Sequence, residues 1–143
     1  MLKPSLRDLE RMAARFAPVA ISAPTAHLSP GDRKALKHLL AAAAVMDGLF
    51  FEQHWAGNKA LLAKLRRDRS PLGKARLDAF IFHKGPWSGL DHHRAFLPDV
   101  PDVKPPGANF YPLDMTREEF DAWDQRAKAD GFFSVVRRDA KGK

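Results

Sequence analysis

Residues 39–51, Leu-Leu-Ala-Ala-Ala-Ala-Val-Met-Asp-Gly-Leu-Phe-Phe, form the longest apolar run of the chain, 13 residues broken only by Asp47. A bilayer span needs about 20 such residues, so the run is too short to cross a membrane and reads as a helix buried in a protein core. Ahead of it, Ser29-Pro30-Gly31-Asp32 places a capping hydroxyl, a proline at the first helical position and an acid in the first turn. From there Leu36, Leu39, Leu40, Ala43, Met46, Leu49 and Phe50 fall along one side of a helix reaching about Trp55. The four successive alanines at 41–44 predict the close approach of a second helix. Asp47, a carboxylate on this apolar element, needs a partner, and an arginine salt bridge is the expected one.

Shorter elements flank this helix. Ser5 caps a segment to Phe16 in which Leu6, Leu9, Met12, Ala13 and Phe16 recur at helical spacing, with Asp8 three residues after the cap. Pro18 then blocks continuation, leaving 17–22 as an extended arm. Gly57 is the expected stop of the long helix, and Asn58 the expected cap of a short one carrying Leu61, Leu62 and Leu65. Ser70-Pro71 repeats the start signal for a fourth helix with Leu72, Ala75, Leu77, Phe80 and Ile81.

Residues 83–112 hold Pro86, Pro98, Pro101, Pro105, Pro106 and Pro112, and no period survives there. The segment reads as a long connection pinned to the helices by Trp87, Phe96, Phe110 and Tyr111. Thr116-Arg-Glu-Glu119 is a capping-box sequence for a fifth helix, with Phe120 and Trp123 inward, ending near Gly131. Phe132–Arg138 reads as a strand and 139–143 as the turn after it, so the expected C-terminus is an interrupted hairpin. The expected fold is thus mainly α: about five helices in an irregular bundle, a Pro-rich connection and one terminal strand. Leu36, Leu40, Met46, Phe50, Leu62, Phe80, Phe120 and Trp123 are its predicted core.

At 143 residues the chain has the length of one ordinary domain, and ten Phe and three Trp can build a core. No cysteine is present, which excludes disulfides, Cys-ligated metals and a thiol nucleophile. The N-terminal octad Met-Leu-Lys-Pro-Ser-Leu-Arg-Asp lacks the apolar stretch of a secretory leader, making the cytoplasm the expected location. Of the net charge of +7, a net +6 lies between Lys59 and Arg76, where seven cations face Asp68 alone. Lys64, Arg66, Arg67, Arg69, Lys74 and Arg76 are therefore candidate contacts for an acidic protein or polyanion, with a solvated helix pair as the plainer reading. No aromatics interleave with these cations, so nucleic acid is not an expected partner.

None of the six histidines is followed by Glu, and the sequence has no GxSxG, no GxxxxGK[ST] and no GxGxxG. Asp91-His92-His93 with His83 is the best arrangement of metal-type donors, yet adjacent residues point apart, and a polar turn is the preferred reading. His38 and His54 read as structural. No catalytic residue, no metal ligand and no cofactor is assigned to this chain.

Several segments read together resemble one family. Arg15-Phe-Ala-Pro-Val19, His27-Leu-Ser-Pro-Gly-Asp-Arg-Lys-Ala-Leu36, Trp55-Ala-Gly-Asn58, Ser70-Pro-Leu-Gly-Lys-Ala-Arg76, Lys84-Gly-Pro-Trp-Ser88, Pro105-Pro-Gly-Ala-Asn-Phe-Tyr-Pro112 and Asp114-Met-Thr116 resemble the N-terminal region of bacterial dipeptidyl-peptidase III-like zinc hydrolases. Gly131-Phe-Phe-Ser-Val-Val-Arg-Arg-Asp139 fits the same pattern. The resemblance implies a two-lobed metallopeptidase that removes dipeptides from peptide N-termini. Its zinc is held by an HExxGH helix and a Glu on a later helix, all downstream of the region matched. On that reading residues 1–143 are one helical segment, with 83–112 a connection inside it. The expected partner is the catalytic portion, and the expectation is that this chain alone does not hydrolyse peptides. Zinc and peptide substrate then belong only to the full-length protein. Some relatives of the family carry Nudix hydrolase names through fusion, and no Glu-rich Nudix box occurs here. The alternative is a self-standing basic helical module that binds an acidic partner.

Overall fold

The computed structural model describes residues 4–131 and 133–142. Among them the chain forms six α-helices and one two-stranded antiparallel sheet, so the fold is mainly α. Helix α1 (Leu6–Ala13) and helix α2 (Pro30–His54) both start on complete capping boxes. In each, the serine hydroxyl (Ser5, Ser29) accepts from the amide three residues on, and that residue's carboxylate (Asp8, Asp32) accepts from the serine amide. Helix α3 (Asn58–Leu65) and helix α4 (Pro71–His83) form a hairpin, the second capped by the Ser70 hydroxyl, which accepts from the Gly73 amide at 3.0 Å.

The core is small and lies where α1, α3 and α4 meet the loop after α4. Leu9, Leu65, Phe80, Phe96 and Leu97 are buried, ringed by half-buried Met12, Phe51, Leu61, Leu62 and Leu72. Trp87, also buried, sits in β1 (Trp87–Ser88), which pairs with β2 (Arg94–Ala95) in the register Trp87 to Ala95 and Ser88 to Arg94. This sheet lies inside the Pro-rich segment where sequence showed no period, because strands of two residues are too short to display one. Its indole holds the loop by donating to the Pro101 carbonyl at 2.8 Å.

The predicted core is corrected on α2. Phe80 is fully buried, and Leu36, Leu62 and Phe120 are half-buried. Leu40, Met46, Phe50 and Trp123 are instead exposed. From Pro30 to Phe50 every residue except Leu36 is exposed, including Ala41–Ala44, where a second helix was expected. Helical spacing was right for α2; the cover it implied is absent from the described residues.

The expected fifth helix is divided. α5 (Arg117–Ala122) stops where Trp123 turns extended, and α6 (Arg126–Ala129) follows. Asp121 and Asp124 put negative charge at the negative pole of α5, which disfavours continuation, and Asp121 is drawn to Arg126 at 3.1 Å. Thr116 caps α5 by accepting from the Glu119 amide at 3.1 Å, and the Glu119 carboxylate accepts two bonds from Arg138. Residues 134–139 belong to no ladder; Ser134, Val136 and Arg138 are half-buried and alternate with exposed neighbours, as in a strand, yet the backbone tie is Val136 N–H to Phe110 O at 2.8 Å. Phe132, the expected start of that strand, lies outside the described residues.

Candidate partner-binding face

Helix α2 is fixed at one end only. An α-helix leaves its last carbonyls without intrahelical donors, and here other segments supply them. The Asn58 amide nitrogen donates to Phe51 O at 2.8 Å, the Asn109 side chain to Glu52 O at 3.0 Å, and the Asn109 backbone N–H to Gln53 O at 2.9 Å. Asn58 also donates to Lys84 O at 2.9 Å, so one fully buried side chain joins the ends of α2 and α4. That corrects its expected role: it opens α3 without capping it, and Gly57 occupies the cap position with no side-chain bond. Gly57 itself is required by a close approach, since a Cβ there would sit 2.2 Å from the Trp55 ring.

Asp47 is half-exposed and pairs with Lys84 at 2.7 Å, a lysine instead of the expected arginine. Lys84 reaches it from the left-handed cap of α4. His54, the last residue of α2, is half-buried between Phe50 and Trp87, and burial lowers its pKa to about 4, with Lys104 and His93 adding repulsion. Burial also lowers His83 at the end of α4. Both imidazoles are therefore neutral at pH 7, though each sits at a helix C-terminus that would favour a cation.

A two-pronged ion pair joins residues 76 positions apart. Arg15 grips Asp91 with two bonds, 2.8 and 2.6 Å, and the Ser88 hydroxyl donates to the same carboxylate at 2.6 Å. The guanidinium and the hydroxyl hold Asp91 well below the usual carboxylate range. Asp91 is thereby committed to an ion pair. His92 and His93 are exposed in left-handed turns, and the described residues contain no group of three metal-type donors. The side chains present do not fit a zinc ion.

The basic stretch divides in the fold. Lys64 pairs with Asp99 at 3.0 Å, and Arg76 is half-buried on α4. Arg66, Arg67, Arg69 and Lys74 are exposed around the α3–α4 turn without a salt bridge. Asp68, the one acid among them, is itself exposed and accepts from the Ser70 amide at 3.0 Å. Between α1 and α4 runs a groove of about 510 Å³ lined by Leu9, Phe16, Lys74 and Phe82.

The surface area makes the openness of the molecule quantitative. The chain exposes 11155 Å², against about 7,400 Å² for a compact monomer of its mass. The exposed length of α2, with Leu39, Leu40, Val45, Met46 and Leu49 each 47–66% exposed, contributes to the excess, as do the exposed residues 17–27. A chain with a small core and a long uncovered apolar helix has the character of one segment of a larger architecture.

Among solved structures, the chain is similar to part of two dipeptidyl-peptidase III chains. The chain matches dipeptidyl-peptidase III from Corallococcus sp. strain EGB with a TM-score of 0.90 and 45% identity, over 99% of this chain and 27% of that one. It matches DPP III from Caldithrix abyssi with a TM-score of 0.84 and 37% identity, over 94% of this chain and 26% of that one. Among curated proteins it is 37% identical over 165 residues to Nudix hydrolase 3 of Arabidopsis thaliana, covering 92% of this chain and 21% of that protein. The chain thus spans about a fifth to a quarter of the proteins it matches. No protein-family model matches it. Among the described residues no helix is long and apolar enough to cross a membrane.

Proposed function

We propose that this chain is the N-terminal, non-catalytic segment of a dipeptidyl-peptidase III-type zinc peptidase, and that its task is structural: to dock against the catalytic remainder. The observation that carries this reading is the match over 99% of the chain to 27% of a solved peptidase at 45% identity. The Arabidopsis protein bears another hydrolase name, but its match also covers a fifth of its length, and the chain has no Glu-rich Nudix box. Zinc binding, peptide substrate and hydrolysis belong, on this reading, to the part this chain does not cover.

The test is a graft. The matching quarter of the Corallococcus peptidase is replaced by this chain, and release of naphthylamine from a dipeptidyl-naphthylamide is followed with zinc present. The graft is expected to hydrolyse the substrate and the isolated chain to leave it intact. A folded graft with no turnover, or turnover that tracks the isolated chain through purification, overturns the proposal. A second reading, a polyanion contact, rests on the unpaired Arg66, Arg67, Arg69 and Lys74, with Lys64 and Arg76 beside them. Binding of heparin by the isolated chain at physiological salt, lost when the three arginines become alanine, would support it.

A further inference from the structure

A helix at a protein surface is apolar on one side and polar on the other, whereas a helix apolar all round is enclosed. Leu39–Met46 reads Leu-Leu-Ala-Ala-Ala-Ala-Val-Met, eight residues or two full turns without a polar side chain in any direction. All eight are exposed, and the polar fixings of α2 lie beyond them, at Asp47 and at the carbonyls of residues 51–53. A single flat contact, such as a dimer face, would cover one side of this stretch and leave the other in water.

We infer that residues 39–46 of α2 are encircled by at least two elements of the peptidase remainder, so that α2 is a core helix of the assembled protein and the chain docks by inserting it. This rests on the dipeptidyl-peptidase III reading and adds which surface docks and how it is covered. The occupant follows from the fold match. A TM-score of 0.90 over 99% of the chain includes α2 in its projecting pose, in a solved chain of which 73% lies outside the match. The stretch itself offers the surface to be covered: Leu39, Leu40, Val45 and Met46 are each 63–66% exposed.

Ala41, Ala42, Ala43 and Ala44 point successively about 100° apart and so sample the whole circumference. The chain has no cysteine, which allows each to be replaced in turn (Ala41→Cys, Ala42→Cys, Ala43→Cys, Ala44→Cys) and probed with a thiol reagent. In the isolated chain all four thiols are expected to react at the rate of a free peptide. In the graft described above, made on a thiol-free background, all four are expected to react at least about 100-fold slower. Protection of only one or two adjacent positions in an active graft overturns encirclement while leaving the peptidase reading intact. A graft that never hydrolyses substrate overturns the reading beneath it. Concentration-dependent protection in the isolated chain assigns the face to a second copy and also overturns the inference. Should a cysteine variant fail to fold in the graft, hydroxyl-radical footprinting of Leu39, Leu40, Val45 and Met46 in the unsubstituted graft gives the same discrimination, since these four side chains also point around the whole circumference: protection of all four supports encirclement, and oxidation of any of them at the rate of the isolated chain refutes it.

Discussion

Phe80 and Phe50 are the same residue type on neighbouring helices in opposite surroundings, and truncating each measures how the fold is held. Phe80 is fully buried among Leu9, Leu65, Phe96 and Leu97, with the Phe51 ring edge-on at 5.5 Å. A buried Phe removes about 200 Å² from water, which at about 25 cal/mol per Å² is about 5 kcal/mol before relaxation. The cavity left by Phe80→Ala is walled by Leu9 of α1, Phe51 of α2, Leu65 of α3 and the loop residues Phe96 and Leu97, so the expected loss is about 3–5 kcal/mol. That is a large share of the about 5–15 kcal/mol available to a domain. Phe50 is 51% exposed and touches His54. Phe50→Ala leaves no closed cavity, and its expected cost is about 1 kcal/mol. Urea unfolding followed by tryptophan fluorescence gives both values, since Trp55 and Trp87 lie 5.2 Å apart beside the core. Phe80→Leu, at about 1–1.5 kcal/mol, serves if the alanine variant does not fold. Equal losses at the two positions, or less than about 1 kcal/mol for Phe80→Ala, would refute this account of the core.

Acid should destabilise the chain. His54, lowered to about 4, and His83, shifted the same way, bind fewer protons folded than unfolded below pH 6.5, so stability present at neutral pH is lost as pH falls toward 4. For half-buried His54 this amounts to about 1–2 kcal/mol after solvent screening, measured as the urea midpoint at pH 7 and pH 4.5, and His54→Gln should flatten the slope. Changing Arg66, Arg67 and Arg69 together to alanine should move stability by less than about 0.5 kcal/mol, because none makes a salt bridge; a larger loss in thermal unfolding means they hold the α3–α4 turn. Residues 133–138 should exchange amide protons fast except Ser134 and Val136, whose N–H groups are bonded to Gly131 O and Phe110 O, and uniform protection there in monomeric protein would reveal a ladder. Asn58→Ala should cost about 1–3 kcal/mol by freeing Phe51 O and Lys84 O, and Asn58→Asp should cost no less, since a carboxylate cannot donate to either.

Local chemistry was legible wherever it acts over three or four residues. Ser5 with Asp8, Ser29 with Asp32, and Ser70 before Pro71 each start a helix where the sequence says so, because a cap needs only its own first turn. The family resemblance likewise came from short motifs in order and agrees with the solved neighbours. Tertiary structure decided everything that joins distant residues or depends on what is nearby. Arg15 with Asp91, and Asn58 with Lys84, are contacts across 76 and 26 positions that no spacing rule encodes. Trp123 breaks the last predicted helix, and the Pro-rich segment folds on two-residue strands, each too short to show a period. The largest difference concerns α2. Hydrophobic composition demands burial of Leu39–Met46 but carries no address for the cover; where every side of a helix is apolar, only the surrounding structure determines which surfaces meet it.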